Sequence, residues 1–266
     1  MTLSPHGTAL VTGASSGIGA VYADRLAARG HDLILVARSR GKLTDLAAGI
    51  ADRTGRSVEI VAADLADAAD LRAVERLLAE DASIAMLVNN AGVGATAPLL
   101  AADVDAMEAM IDLDVTALMR LTYAAAPAFA ARGRGTIVNI ASIAAIGPEI
   151  LNGVYGGAKA FVLAFSQSLH HELAGKGVRV QAVLPGATAT DFWGIAGTPV
   201  EHLPGEIVMR ATDMVDAALA GLDAGEVVTI PALPDAAQWQ AYEAARQAML
   251  PNLSRAEPAA RYRRTA

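Results

Sequence analysis

Thr8-Ala9-Leu10-Val11-Thr12-Gly13-Ala14-Ser15-Ser16-Gly17-Ile18-Gly19 decides how the rest of the chain is read. A short apolar run at 8–12 reads as a buried strand, and an amphipathic pattern at 17–29, stopped by Gly30, reads as a helix. Three glycines, Gly13, Gly17 and Gly19, stand where the strand passes into the helix. Glycines at a strand-to-helix junction permit a tight turn and let the backbone approach a pyrophosphate. The first turn of the helix then offers unpaired N–H groups and a partial positive charge to the anion. Gly13 is expected to make the turn, Gly17 the close approach and Gly19 the helix–strand packing, with Ser15, Ser16 and Ile18 lining the loop. An ordinary glycine-rich loop is the plain alternative, but the strand before it and the helix after it favour dinucleotide binding. No Gly-Lys-Ser/Thr follows, so the turn is not a P-loop.

Outward from this turn the same alternation repeats. Strands are predicted at 31–37, 57–63, 84–89, 136–141, 178–184 and 227–230, and helices near 43–53, 68–80, 103–131 and 155–174. The strands are continuously apolar, as burial on both faces requires. The expected fold is α/β: a Rossmann-type, doubly wound, mostly parallel seven-stranded sheet with helices on both faces. One domain over residues 1–266 is expected. Within it, a Gly- and Pro-rich stretch at about 190–210 with Phe192, Trp193 and Ile195 reads as a substrate lid. A helix near 236–249 precedes a tail at about 250–266. Arg261, Arg263 and Arg264 there read as a solvated terminus before a phosphate clamp.

Composition narrows the classes. The 266 residues carry 21 Lys plus Arg against 28 Asp plus Glu, a formal charge of −7; 53% are hydrophobic. Such a chain is not disordered, and its acidity speaks against a nucleic-acid partner. There is no cysteine, which excludes a disulfide scaffold, a thiolate nucleophile and a Cys-ligated metal. No apolar segment reaches the length of a membrane span, so no membrane partner is expected. The N-terminus lacks a cationic stretch followed by a long apolar run, so no secretory signal is expected and a cytoplasmic setting is. His170 and His171 are adjacent and face different ways on a helix, so no metal site is expected.

Further motifs follow in order. Asn89-Asn90-Ala91-Gly92 ends the fourth strand. Ser142 ends the fifth, 13 residues before Tyr155, and Tyr155-Gly156-Gly157-Ala158-Lys159 opens the second long helix. Pro185-Gly186, Thr188 and Thr190 follow the sixth strand, and Asp64-Leu65 the third. With the T-G-x-x-x-G-I-G turn, this set resembles the short-chain dehydrogenase/reductase family over residues 8 to about 190. The resemblance implies an oxidoreductase that interconverts a carbonyl and an alcohol. It implies roles for Ser142, Tyr155 and Lys159 in catalysis, and for Asn90, Ala91, Gly92, Asp64, Leu65, Pro185, Gly186, Thr188 and Thr190 around the nucleotide. It also implies a homodimer or homotetramer built on the two long helices, whose apolar residues, Met107, Met110 and Met119 among them, exceed one face.

The residues support this chemistry independently. Tyr155 and Lys159, four apart on a helix, share a face. A free tyrosine titrates near pH 10; a nearby ammonium and a cationic nicotinamide would lower that. Lys159 donors can also hold ribose hydroxyls, and Ser142 can hydrogen-bond a substrate oxygen as charge develops. Taken singly, Tyr155 is a packing tyrosine and Lys159 a surface charge; the set as a whole favours catalysis.

One position departs from the family. Its usual asparagine falls on Asp114, 24 residues after Asn90 and 28 before Ser142. If only the main-chain carbonyl matters there, holding a water near Lys159, the exchange is silent. A carboxylate could instead keep Lys159 protonated, or be protonated itself. An active enzyme is expected either way.

An acid at the end of the second strand would accept both ribose hydroxyls and favour NAD. Ala37 stands there instead, followed by Arg38 and Ser39. A guanidinium at that place pairs with a 2′-phosphate, although it could merely stack on adenine. NADP(H) is the expected cofactor. The apolar stretch Ile143, Ala144, Ala145, Ile146, Pro148, Ile150 and Leu151 points to a hydrophobic small-molecule ketone, aldehyde or alcohol as substrate, and Glu149 reads as a surface charge. The alternatives are an NAD-linked alcohol, sugar or steroid dehydrogenase, and an NADP(H)-sensing protein without turnover.

Overall fold

The computed structural model describes residues 6–263; Arg264 of the tail lies outside them. The chain divides into two compact units at Pro231/Ala232.

The first unit is built on seven parallel strands: β1 (Thr8–Thr12), β2 (Asp32–Ala37), β3 (Val58–Ala62), β4 (Ile84–Asn89), β5 (Gly135–Ile140), β6 (Val178–Val183) and, after a short ladder described below, β9 (Val228–Thr229). Their order is β3-β2-β1-β4-β5-β6-β9, all parallel. The order reverses between β1 and β4, the switch point where α/β sheets bind ligands at the carboxyl ends of their strands.

The apolar runs explain the layers. Ala9, Val11, Leu33, Leu35, Met86 and Val88 face one core, which α1 (Gly17–Ala28), α2 (Arg40–Thr54) and α8 (Ala211–Asp223) cover. Leu10, Ile34, Val36, Leu87 and Ile137 face the other, under α3 (Ala68–Glu80), α5 (Leu118–Ala131) and α6 (Gly153–Leu173). Alternate residues of one strand thus enter opposite cores, so both faces are apolar except where a buried polar side chain such as Asn89 or Gln181 is hydrogen-bonded. Truncating Leu10 to Ala would cost about 2–5 kcal/mol. Gly30, at φ +93°, ends α1 with His31 N donating to Leu26 O at 3.0 Å and Gly30 N to Ala27 O at 2.9 Å, a Schellman closure.

The helix predicted at 103–131 is not continuous. It is α4 (Val104–Ile111), a wider π-helical turn (Asp112–Ala117) and α5. An extra residue within a helix bulges the backbone, a device common at functional sites. It holds Asp114 buried. A periodicity of 3.6 does not encode that widening.

The expected lid lies between the two strands of a separate parallel ladder, β7 (Thr188–Ala189) and β8 (Met209–Arg210). Between them come α7 (Phe192–Ile195) and two 3₁₀ turns (Val200–His202, Gly205–Ile207). In the second unit α9 (Ala236–Met249) is capped by Asp235, which accepts from Ala237 N at 2.8 Å. Two 3₁₀ turns, Leu250–Asn252 and Ala260–Tyr262, occupy the expected tail. Among the described residues no helix is long and apolar enough to cross a membrane.

Candidate active site

At the end of β1 the chain turns through Gly13 (φ +63°) and enters α1 through Gly17 (φ +54°), both in a region that favours glycine. Gly19 is needed for space: a Cβ there would overlap the Gly13 carbonyl and lie 2.5 Å from Asn90 Nδ2. Thr12, to which the sequence assigned no role, locks this junction. Its hydroxyl donates to Val88 O at 3.3 Å and accepts from Asn90 N at 2.9 Å and Ala91 N at 3.0 Å. Asn90 Nδ2 donates to Thr12 O at 2.9 Å and Gly13 O at 3.3 Å. Asn89 stabilises the sheet, donating to Thr122 Oγ1 at 3.0 Å and Asn139 Oδ1 at 2.9 Å.

Ser15 and Ser16 complete the loop, and Ile18 packs on the core. Ser16 caps α1 through its backbone alone, and no acid stands in the first turn. The helix start therefore carries an uncompensated positive end suited to an anion. Thr190 closes over the loop: a Cβ on Gly17 would lie 3.0 Å from Thr190 Cγ2. Arg38 and Ser39 are exposed just beyond β2. Leu65 is buried after β3, while Asp64 is half-buried and accepts from Ala66 N at 3.0 Å, holding its own turn. Pro185 O accepts from Ile143 N at 3.0 Å and Gly186 O from Thr188 Oγ1 at 3.1 Å, which ties the segment after β6 to the start of the Ser142 loop. These features are the ones that could hold a dinucleotide: a tight glycine turn, a positive helix end and an exposed guanidinium past β2.

Ser142 follows β5 directly, and Tyr155 and Lys159 stand one turn apart near the start of α6. Asn152 caps that helix, accepting from Val154 N at 2.8 Å. Ser142, Tyr155, Lys159 and Asp114 are all buried and converge. Ser142 lies close enough to the Tyr155 hydroxyl to favour its ionised form, and its Oγ accepts from Ala144 N at 3.1 Å. Lys159 Nζ lies 5.6 Å from the Tyr155 ring centre, 3.0 Å from Asp114 Oδ2, and donates to Ile140 O at 3.3 Å. Asp114 Oδ1 accepts from Val93 N at 2.9 Å. A Cβ on Gly92 would lie 3.1 Å from either Asp114 oxygen.

Of the three states open to Asp114 in the sequence, the geometry is that of a buried ion pair with Lys159. Burial pushes the Asp114 carboxyl up, and the Lys159 ammonium and Val93 amide oppose this. Burial alone would lower Lys159, but the Asp114 carboxylate and, after it, Tyr155 together outweigh this and leave Lys159 above its ordinary value. Tyr155 departs from expectation. Burial raises its pKa above the ordinary phenol value, and Lys159 and Ser142 only partly offset that. Charge spacing is visible in a sequence; desolvation is not.

Ala95, Met110, Ala144 and Tyr155 form a small apolar cluster with Val93, Met107, Leu151, Val154 and Phe192 against it. The Phe192 ring lies 5.9 Å from that of Tyr155. Ile146, Ile150 and Glu149 are exposed.

Residues 7–198 match the short chain dehydrogenase family. The chain is 34% identical over 207 residues to a very-long-chain 3-oxoacyl-CoA reductase of Anas platyrhynchos, a match covering 76% of this chain and 66% of that protein, less than two thirds of its length. A short-chain dehydrogenase from Sphingobium yanoikuyae, solved in complex with NADPH, is 50% identical with a TM-score of 0.94, covering 97% of this chain and 100% of that one. A bulky-bulky ketone specific alcohol dehydrogenase from Comamonas testosteroni is 43% identical with a TM-score of 0.89, covering 96% and 98%. Fold, crevice and sequence match agree: the chain belongs to the short-chain dehydrogenase/reductase family.

Proposed function

We propose that this oxidoreductase reduces hydrophobic ketones, or oxidises the corresponding alcohols, with NADP(H). The observation that carries this reading is the convergence of Ser142, Tyr155 and Lys159 beside the glycine turn at the sheet's switch point. The glycine turn from Gly13 to Gly19 holds the pyrophosphate, and Asn90, Ala91, Gly92, Asp64 and Leu65 border the adenosine. Arg38 and Ser39 hold a 2′-phosphate, and Pro185, Gly186, Thr188 and Thr190 close the far side. A bound nicotinamide supplies or takes the hydride at the substrate carbon.

The side chains handle the proton. In reduction, the Tyr155 hydroxyl donates its proton to the carbonyl oxygen, and the C–O double bond becomes an alcohol C–OH. Ser142 hydrogen-bonds that oxygen as it becomes negative. The phenolate left on Tyr155 is stabilised by the Lys159 ammonium. Asp114 keeps Lys159 charged and fixed, and Lys159 donors reach the ribose hydroxyls. In oxidation the same groups run in reverse. The NADPH complex of the Sphingobium protein and the ketone specificity of the Comamonas enzyme support the cofactor and substrate class.

The test is a panel of ketones with NADPH and NADH, followed at the nicotinamide absorbance. Turnover is expected, with kcat/KM higher for NADPH. A higher value with NADH refutes the cofactor assignment; tight NADPH binding with no turnover refutes the enzyme. Self-association through α5 and α6 belongs to the same reading, because Tyr123 is exposed on α5 and stacks on Phe165 of α6 at 6.3 Å. Sedimentation showing only monomer at micromolar concentration would refute it.

A further inference from the structure

The apolar side of the crevice holds a contact that the proton chemistry does not use. Phe192, at the start of α7, lies over Gly94 in the loop after β4. A Cβ on Gly94 would overlap Phe192 Cζ and lie 2.8 Å from Cε2 and 3.0 Å from Cε1. Gly94 has no positive φ, so its backbone does not require glycine; the ring does. Both partners are fixed. Trp193 donates from Nε1 to Thr188 O at 3.0 Å and meets the Phe192 ring edge-on at 5.6 Å. Ala196 O accepts from Thr96 N at 3.0 Å and Thr96 Oγ1 at 2.9 Å, and Thr198 Oγ1 pairs with Thr96 Oγ1 at 3.0 Å. On its other side the same loop is held by Asn152, whose Nδ2 donates to Ala97 O at 2.6 Å. The ring is therefore parked on Gly94, beside the Tyr155 ring and among apolar neighbours.

We propose that Phe192 is the specificity-determining wall of the substrate site, and that Gly94 is the berth that keeps its ring aside so that a ketone with two bulky hydrophobic substituents reaches Tyr155. This deepens, and rests on, the ketone reductase reading. Any side chain at position 94 displaces the ring from its berth and narrows the space over Tyr155. Shortening Phe192 widens that space and makes position 94 indifferent.

The probes are acetophenone and butyrophenone with NADPH, and the readout is the butyrophenone-to-acetophenone ratio of kcat/KM. Gly94→Ala is expected to lower this ratio about tenfold and Phe192→Ala to raise it by a similar factor, the range one or two methylenes span in a hydrophobic pocket. Gly94→Ala/Phe192→Ala is expected to match Phe192→Ala, and Phe192→Leu, a milder change, to fall between wild type and Phe192→Ala. The same variants in a Tyr155→Phe background, saturated with NADPH, give dissociation constants for both ketones without turnover. A ratio unmoved by Gly94→Ala, or lowered equally with and without Phe192, overturns the berth. If wild type reduces neither ketone but the binding preference shifts as described, the wall stands and the reductase reading fails. If no variant binds either ketone, both fall.

Discussion

On the nucleotide side of the crevice, Gly13, Gly17 and Gly19 act through main-chain geometry within seven residues of sequence; on the substrate side, Gly94 acts through a ring delivered by a distant segment. The first wall is local. Its positive φ angles and the Gly19 approach to Gly13 belong to the turn itself, with Asn90, Ala91 and Thr190 packed against it. The second exists only once β7, β8 and α7 have brought Phe192 back over the loop after β4. Short-range backbone demands recur wherever the same ligand is held, so they leave a pattern in sequence; a ring parked on a glycine leaves a glycine that looks like any other.

Substitutions sharpen this contrast. Gly19→Val inserts a side chain where the Gly13 carbonyl and Asn90 amide already stand. NADPH binding measured by calorimetry should be lost altogether, with ketone size preference beyond reach. Binding at wild-type strength would show that the turn does not hold the nucleotide.

Ser142→Ala removes the hydroxyl that stands beside Tyr155 and bonds the developing oxyanion. A kcat loss of about 10²–10³-fold is expected, with the NADPH dissociation constant little changed. Arg38→Ala is expected to cost about 1.5–3 kcal/mol of charged hydrogen bonding, or about 10–150-fold in KM for NADPH. The KM for NADH should not move, because the lost partner is a phosphate that NADH lacks. Equal losses with both cofactors would return Arg38 to stacking on adenine.

Asp114→Asn should have the smallest effect on rate, well under the about 10²-fold that loss of a proton-transfer group costs. Its pH signature is specific. The Asp114 charge raises both Tyr155 and Lys159, so removing it lowers both. Alcohol oxidation needs the phenolate, whose population is lost as pH falls through the Tyr155 pKa; the acidic limb of oxidation should move to lower pH. Reduction needs the phenol, so its alkaline limb should move the same way. The stability contributed by charging Lys159 in the wild type is present below the ordinary lysine range and is lost as pH rises through the raised folded value. Chemical denaturation across alkaline pH should show that loss in wild type and not in Asp114→Asn, where the charge that raises Lys159 against its burial is gone. Unshifted limbs would mean that Asp114 does not act through Lys159.

The doubly wound parallel sheet was legible because strand–helix alternation and short-range glycine chemistry are written along the chain, and the same motifs suggested the site residues from Gly13 to Thr190. The direction of the Tyr155 shift was not, since it depends on how much water the folded crevice removes. Asp114 was legible as a departure from the family, but its amide partner on Val93 depends on the π-helical turn, which no side-chain period marks. Phe192 was legible as part of a lid, and Gly94 as nothing, until the ring was found lying on it.

The direct measurement of the central claim is single-turnover reduction of a ketone by the NADPH complex of wild type and Tyr155→Phe, with ketone and NADPH dissociation constants measured alongside. The rate of NADPH oxidation is expected to fall by about 10²–10⁴-fold in Tyr155→Phe, with both dissociation constants nearly unchanged. An equal rate in the two proteins would contradict the assignment of the proton to Tyr155 and, with it, the chemistry assigned to this crevice.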